Sequence, residues 1–305
     1  MKKFLYVSIL FALPIFLSLI ITELLLRQIP NDYSYKKNYL DAHSNEIELL
    51  YLGSSHVYYG LNPEYSKFNS FNASHISQSI NFDFAILEKY KNKWSNLRCV
   101  IIPIDYFSMY STLEGGIEKW RVKNYSIYYE INNSSRFSTN FEVLNGPFKT
   151  NFGRLKSHFY KNSTDITCNK LGWGKNYNSK DSQDLIQTGK AASKRHTIEN
   201  NDNLCFDNNI KTLNSIIKFA KNNKVKLIFF TSPAYKTYSE NLEQKQLNNT
   251  INAISQKANK NLNIFYYNLL NDETFTAEDF YDADHLNEKG AMKLTLKIDS
   301  LIIKN

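Results

Sequence analysis

The chain has 305 residues, enough for one large domain with its own hydrophobic core. Its net charge is +8, from 37 basic and 29 acidic residues, and the basic residues are spread along the whole chain among acidic and amide side chains. A nucleic-acid-binding protein concentrates its basic residues on one element, so this distribution argues against a nucleic-acid partner. We interpret the charge as a solvated surface that favours anionic membranes or envelope polymers.

The N-terminus predicts a membrane anchor. Residues 4–22 carry no charge, and 19 helical residues span about 28 Å, close to the thickness of a bilayer core. Lys2 and Lys3 precede this run, so the short N-terminus is expected in the cytoplasm and the rest of the chain on the extracytoplasmic side. No small-x-small cleavage site follows, which favours a retained single-pass anchor at residues 1–26 over a cleaved signal peptide.

A polar segment with Pro30, residues 27–45, is predicted as a spacer, and regular alternation follows it. The apolar runs predict strands and the amphipathic patterns predict helices, in the order strand 47–52, helix 79–94, strand 99–104, helix 210–220, strand 224–233, a polar helix, strand 263–270 and helix 291–301. Strands that alternate with helices indicate an α/β domain, here residues 46–305, whose parallel sheet has helices on both faces.

The middle of the domain, residues 115–205, differs from its flanks. It is rich in Asn, Ser, Tyr and Phe with weak periodicity, so we predict an irregular insertion or cap. Its aromatic residues suit either a small core of their own or stacking on sugars. Cys99 lies in an apolar run and is predicted to be a core residue. Cys168 and Cys205 are candidates for a disulfide if the domain is exported.

Two short stretches carry the candidate chemistry. Gly53-Ser54-Ser55 follows the first predicted strand, where a serine either caps a helix or presents a nucleophile. Asp282 and His285, in the stretch DADH, follow the last predicted strand and therefore lie at the same edge of the sheet. An Asp that orients a His whose other ring nitrogen takes the proton of a serine is the arrangement of serine hydrolases.

These two stretches together resemble the SGNH, or GDSL-like, hydrolase superfamily, over about residues 46–112 and 207–305. The resemblance implies a flavodoxin-like three-layer parallel sheet, with Ser55 as nucleophile, His285 as general base and Asp282 as its orienting carboxylate. The anchor together with GSSHVYYGLNP looks most like the envelope branch of the superfamily, which includes proteins for O-acetylation of exopolysaccharide and for D-alanine transfer onto teichoic acids.

The same resemblance implies an oxyanion site. The backbone N–H groups of Ser55 and Ser77 would contribute to it, with Ser77 of the stretch NASHIS standing where the family has glycine. The family has an asparagine after the next strand, and this chain has Asp105 in the stretch PIDYFS. An ionised carboxylate repels an oxyanion, so one donor is missing, and the loss of one such donor costs about 3 kcal/mol of transition-state stabilisation.

Other histidines have weaker context. His56 follows Ser55 directly, and because neighbouring side chains point apart, we expect it to face away from the site. His75 is a candidate for the cleft lining. The chain has no H-E-x-x-H, P-loop or G-x-G-x-x-G motif, so it predicts no metal and no cofactor.

The sequence thus predicts an extracytoplasmic serine esterase or O-acyltransferase that acts on acyl esters of an envelope polysaccharide. The alternative is a non-catalytic envelope protein of the same fold that binds glycan or a membrane acyltransferase partner. A hydrolase of small lipid esters is a third hypothesis.

Overall fold

A computed structural model describes residues 1–132, 134, 136–198 and 203–304 of the chain. Within those ranges the strands are β1 (Leu49–Tyr51), β2 (Ser70–Asn72), β3 (Cys99–Pro103), β4 (Lys226–Thr231), β5 (Ile264–Asn268), β6 (Phe280–Asp282) and β7 (His285–Leu286). The α-helices are α1 (Lys2–Arg27), α2 (Asp32–His43), α3 (Ser55–Gly60), α4 (Ile80–Lys89), α5 (Val122–Asn124), α6 (Phe148–Lys161), α7 (Leu185–His196), α8 (Asn203–Asn223), α9 (Lys236–Ser239), α10 (Gln244–Asn259) and α11 (Glu288–Lys304).

The chain divides into two compact units. One comprises residues 1–37 and 117–166, and the other comprises residues 38–116 and 167–305. The segment predicted as an insertion, 115–205, is therefore shared between the two units. The extent of a catalytic domain remains a prediction.

The larger unit is built on a five-stranded sheet in the order β2-β1-β3-β4-β5, with every neighbouring pair parallel. This order is that of flavodoxin-like doubly wound sheets, which confirms the predicted fold class. Register follows from buried apolar runs, for example Val100 opposite Leu227 and Ile101 opposite Ile228. Both residues of each pair are fully buried on alternating faces, so helices cover the sheet on both sides.

One face of the sheet holds the core that supports the candidate site. Leu49, Tyr51, Ile101, Ile228 and Phe230 project from it and pack with residues of α3 and α11, namely Val57, Leu294 and Ile298. The short antiparallel pair β6–β7 precedes α11. The core therefore fixes α3, which follows β1, close to the hairpin that carries Asp282 and His285.

Several described elements lie outside the sequence prediction, among them helices α6 and α7 in the segment predicted as irregular and the β6–β7 hairpin. Strand β2 was not predicted, and the predicted spacer at residues 27–45 contains helix α2 with Tyr33 and Leu40 buried. Helix α1 has a stretch of mean hydropathy 2.6 and is the one helix of the described residues long and apolar enough to cross a membrane. Its length and composition fit both an anchor and a signal sequence.

Candidate functional site

The loop after β1 is held in a shape that requires glycine. Gly53 has φ +125°, and a Cβ built there would lie 2.4 Å from Cδ of Pro103, at the end of the neighbouring strand β3. The backbone of β1 therefore passes directly against β3 at its carboxyl end. Only a residue without a side chain allows this approach, after which the chain turns into α3.

The two serines that follow have different positions. Ser54 is the N-cap of α3, and its Oγ accepts the backbone N–H of His56 at 3.4 Å. Ser55 is the first residue of the helix, and its hydroxyl lies 2.8 Å from Nε2 of His285. The capping and the nucleophile interpretations of this stretch thus apply to different serines.

His285 connects Ser55 with Asp282. Its Nδ1 lies 2.9 Å from Oδ1 and 3.2 Å from Oδ2 of Asp282. A carboxylate only accepts hydrogen bonds, so Nδ1 carries the proton and Nε2 is free to accept the proton of the Ser55 hydroxyl. The structure therefore brings together the three residues predicted as catalytic, although 230 positions separate Ser55 from His285.

The β6–β7 hairpin holds the Asp282 carboxylate. Oδ1 accepts the backbone N–H groups of Asp284, at 3.1 Å, and His285, at 2.8 Å. These bonds fix the carboxylate and ring within one tight turn. The Asp282 carboxylate and the His285 ring are therefore positioned relative to each other by bonds within this turn.

A second His–Asp pair lies behind this set. Nδ1 of His56 donates to Oδ2 of Asp105 at 2.8 Å, and Oδ1 of Asp105 accepts the backbone N–H of Ser232 at 2.8 Å. Only 5% of the His56 side chain and 4% of the Asp105 side chain are exposed. Both carboxylate oxygens of Asp105 are thus engaged with His56 and Ser232, and Asp105 is connected to the site through His56.

The ring of His56 contacts the site, contrary to the expectation that it faces away. Its centroid lies 4.9 Å from that of His285 in an edge-to-face arrangement, because consecutive residues at the start of α3 both border the His285 ring. Burial disfavours the charged form, but the carboxylates of Asp105 and Asp284 outweigh burial and raise the pKa of His56 to about 10. His56 is therefore an imidazolium at neutral pH.

Asp284 is a further residue that sequence reasoning missed. Its Oδ2 lies 3.6 Å from Nε2 of His56, and its Oδ1 lies 3.6 Å from Nδ1 of His285. Burial favours the protonated acid, but the nearby His285 and His56 rings hold the pKa of the Asp284 carboxyl well below its usual range. In the sequence, only the position of Asp284 next to His285 indicated that it lies in this site.

The far side of Asp284 is formed by α7. The guanidinium of Arg195 lies 3.6 Å from its Oδ2, and Nδ1 of His196 lies 3.9 Å from the same oxygen. Burial lowers the pKa of His196 to about 3, so this ring is neutral and donates or accepts without adding charge. Asp284 thus faces two imidazoles of the site on one side and a guanidinium on the other.

One group of residues in the described part of the chain has the composition of a metal site. His56, Asp284 and His285 offer ligand atoms that all lie within 4.8 Å of one another. However, both ring nitrogens of His285 are engaged, one with Ser55 and one with Asp282. Metal binding through His285 would replace one of these hydrogen bonds.

Three tyrosines form a stack beside His285. The ring of Tyr177 lies between those of Tyr59, at 3.7 Å, and Tyr281, at 3.8 Å, and all three planes are nearly parallel. Tyr177 and Tyr59 meet the His285 ring edge-to-face, with centroids 5.4 Å and 6.1 Å away. The imidazole is therefore held between His56 and an aromatic wall.

The stretch predicted to supply a backbone donor has an unusual conformation. Ser77 has φ +59°, the left-handed region that glycine prefers, which fits its place where the family resemblance implies glycine. The same stretch is fixed to the β1 loop, because the N–H of His75 donates to the carbonyl of Gly53 at 3.2 Å. His75, a candidate for the cleft lining, is itself buried.

Comparison with known proteins yields similarities of structure alone. No family model and no curated protein matches the chain. A platelet activating factor candidate from Streptococcus pneumonia is 10% identical with a TM-score of 0.44, over 96% of this chain and 98% of that one. An acylhydrolase candidate from Bacteroides fragilis is 11% identical with a TM-score of 0.39, over 87% and 95%.

A third solved structure, a GDSL-like lipase from Bacteroides thetaiotaomicron, is 12% identical with a TM-score of 0.40, over 89% of this chain and 98% of that one. At such scores the likenesses do not define the chain's activity. The class of the protein follows from its own structure, an α/β protein with a flavodoxin-like sheet and a Ser–His–Asp arrangement at the edge of that sheet.

Proposed function

We propose that the protein is a membrane-anchored serine esterase or O-acyltransferase, and that its substrates are acyl esters of a cell-envelope polysaccharide on the extracytoplasmic side. The observation that carries this proposal is the hydrogen-bonded series from Ser55 Oγ through His285 to Asp282. A serine, an imidazole in the correct tautomer and a fixed carboxylate are what acyl transfer through a serine requires.

The reaction begins at Ser55. Its Oγ attacks the acyl carbonyl carbon, and its proton passes to Nε2 of His285. Asp282 stabilises the imidazolium that results. When the tetrahedral intermediate collapses, the carbon–oxygen bond to the leaving alcohol breaks, this alcohol takes the proton from His285, and the acyl group remains on Ser55.

The second half repeats these steps with a new nucleophile. His285 removes a proton from water or from a sugar hydroxyl, the oxygen attacks the acyl carbon, and Ser55 leaves with the proton returned to it. Water gives hydrolysis and a sugar hydroxyl gives transfer. Tyr59 is buried and both ring faces of Tyr177 are covered, so of the three stacked tyrosines beside His285 only the partly exposed Tyr281 is left to offer a ring face to a sugar acceptor.

In this proposal the oxyanion is stabilised by the backbone N–H groups of Ser55 and Ser77. The left-handed backbone of Ser77 supports this assignment. Asp105 is not assigned as a donor, because its two carboxylate oxygens accept from Nδ1 of His56 and from the backbone N–H of Ser232. The site thus has fewer donors than the family resemblance implies.

Labelling with a fluorophosphonate probe tests the nucleophile. We expect the full-length protein in detergent to be labelled, and Ser55→Ala to lose the label. Ser54→Ala is the matched control, because it removes the neighbouring hydroxyl, which only caps α3 at 3.4 Å, and it should keep the label. An unlabelled wild type, or a labelled Ser55→Ala, refutes the proposal and favours a non-catalytic, glycan-binding protein.

The substrate class has its own test. With acetyl and long-chain esters of one chromogenic alcohol, we expect a preference for the acetyl ester. A strong preference for long chains would contradict the polysaccharide assignment and favour lipid esters.

A further inference from the structure

Helix α6 exposes a row of phenylalanines to solvent. Phe148, Phe152 and Phe159 are 75%, 59% and 48% exposed, although large apolar side chains are normally covered in a folded protein. At about 100° per residue they lie within about 40° of one another around the helix, and we call these three residues the phenylalanine stripe. The rings of Phe148 and Phe152 stack on each other with centroids 6.1 Å apart.

Apart from Leu155 and Tyr160, the remainder of α6 is mostly polar or basic. Lys149 and Lys156 lie about 100° and 80° around the helix from Phe148, so they flank the stripe on one side, and both are exposed. Asn151 is buried on the packed side of the helix. A helix with a phenylalanine row, flanking lysines and little overall hydrophobicity is typical of segments that lie in the interface of an anionic membrane.

The position of this helix within its unit relates it to the anchor. Glu23 is the first charged residue after the uncharged run 4–22, and it marks the end of the part of α1 that suits a bilayer core. The Glu23 carboxylate accepts the backbone N–H groups of Glu142, at 3.1 Å, and Val143, at 2.9 Å. The loop before α6 is therefore held at the level where α1 would leave the membrane.

Further hydrogen bonds join this loop to α1 on one side and to α6 on the other. The guanidinium of Arg27 donates to the carbonyl of Asn140 at 2.6 Å. The side-chain amide of Asn151, in the first turn of α6, donates to the carbonyls of Val143, at 3.4 Å, and Gly146, at 3.5 Å. Leu144, between these points, is itself 54% exposed. The exposed apolar side chains thus begin directly beside the end of α1.

We propose that α6 lies in the headgroup region of the membrane that α1 spans, with the phenylalanine stripe inserted between lipids and Lys149 and Lys156 beside lipid phosphates. The occupant of the exposed stripe is the lipid surface itself. This inference rests on the proposed anchor. It adds a second contact that fixes the orientation of the anchor-bearing unit on the bilayer.

The test uses the full-length protein in vesicles that contain phosphatidylcholine brominated on the acyl chains and an anionic lipid. Phe148→Trp places a fluorophore in the stripe. Thr150→Trp is the matched control, since it is exposed in the same turn but about 200° around the helix from Phe148. The signal of the native tryptophans Trp94, Trp120 and Trp173 is subtracted with the wild-type protein.

We expect brominated lipid to quench the added fluorescence of Phe148→Trp at least twofold, and that of Thr150→Trp by less than half as much. Equal, weak quenching of the two variants would overturn the inference. Two copies that associate through the stripe would also shield it from lipid and give that result.

Alkaline carbonate extraction separates the two proposals. A protein that stays in the membrane but shows no quenching at residue 148 refutes only the interfacial helix. A protein that is extracted refutes the anchor and this inference with it.

Discussion

Replacement of Asp105 by asparagine removes one charge from the buried pair behind the site and keeps the shape of the side chain. The oxygens of Asp105 accept from His56 at 2.8 Å and from the Ser232 N–H at 2.8 Å. An amide has one oxygen, so its NH2 group must face one of these two donors. Loss of one partner of a buried ion pair costs about 3–5 kcal/mol. Asp284 remains 3.6 Å from His56, so we expect the lower end, about 3 kcal/mol.

Thermal unfolding of the full-length protein in detergent, followed by intrinsic fluorescence, measures this loss. In a protein of this size each kcal/mol lowers Tm by about 2–4 °C, so Asp105→Asn should lower Tm by about 6–12 °C at pH 7. Asp207→Asn is the control, because Asp207 is exposed on α8 and its replacement should change stability by no more than about 0.5 kcal/mol.

The pH dependence gives an independent check of the same pair. The charged and titratable groups around His56 are Asp105, Asp284, His285 and His196. The folded-state pKa of His56, about 10, is above its ordinary value of 6.5. Its contribution to stability is therefore complete below pH 6.5 and is lost as the pH rises towards 10.

Asp105→Asn removes the stronger of the two carboxylate partners, so the variant should lose less stability than the wild type between pH 7 and 10. An unchanged Tm and an unchanged pH dependence would refute the buried ion pair. If the variant were also more active, Asp105 would line the oxyanion site, as the sequence predicted.

Three further changes test the site and its scaffold. Asp282→Asn should reduce kcat/KM for p-nitrophenyl acetate by about 10³–10⁴-fold through loss of the correct tautomer, and a reduction below tenfold would contradict its orienting role. Gly53→Ala should lower Tm by 6 °C or more, since backbone strain and contact with Pro103 together cost about 3 kcal/mol, and a Tm equal to that of the wild type would exclude this strain. Ser77→Gly should raise stability by about 1 kcal/mol by relief of its left-handed conformation, whereas a lower Tm would show that the serine side chain stabilises the stretch.

The alternation of apolar runs and helical patterns predicted four strands of the described five-stranded sheet. The missing strand, β2, has only the residues Ser70, Phe71 and Asn72. Asn72 is completely buried because its amide donates to the carbonyls of Val57 and Leu61, each at 2.8 Å. A polar residue that is buried by such long-range bonds leaves no periodic pattern, so local sequence could not show this strand.

Helix α2 was also missed because its burial depends on residues that are distant in the sequence. Residues 32–43 are mostly polar or charged, and their low hydrophobicity suggested a spacer. Tyr33 is nevertheless buried, and its ring meets Tyr125 and Tyr129 edge-to-face. These tyrosines lie almost 100 residues away, within the stretch that showed weak periodicity. Their contact forms only in the folded unit.

The contact of Ser55 with His285 was predictable because both residues follow strands at the same edge of a parallel sheet. The contact of the His56 ring with His285 was not predictable in this way. The expectation that neighbouring side chains point apart ignores the size of an imidazole at the start of a short helix. The Ser55 hydroxyl contacts Nε2 of His285, while the His56 ring packs against the same imidazole at 4.9 Å. Sequence position predicted the hydroxyl contact, and only the packing of α3 against the hairpin determined the ring contact.

The stretch DADH contains two carboxylates, and the structure gives them different environments. Asp282 lies 2.9 Å from Nδ1 of His285 and accepts two backbone N–H groups, whereas Asp284 lies 3.6 Å from the same nitrogen and faces the His56 imidazolium. A proton taken up by His285 during acyl transfer would be stabilised first by Asp282. Asp284 offsets the positive charge of His56, which would otherwise disfavour a second imidazolium 4.9 Å away. The carboxylates of Asp105 and Asp284 thus allow a charged His56 to lie beside His285, the proposed general base.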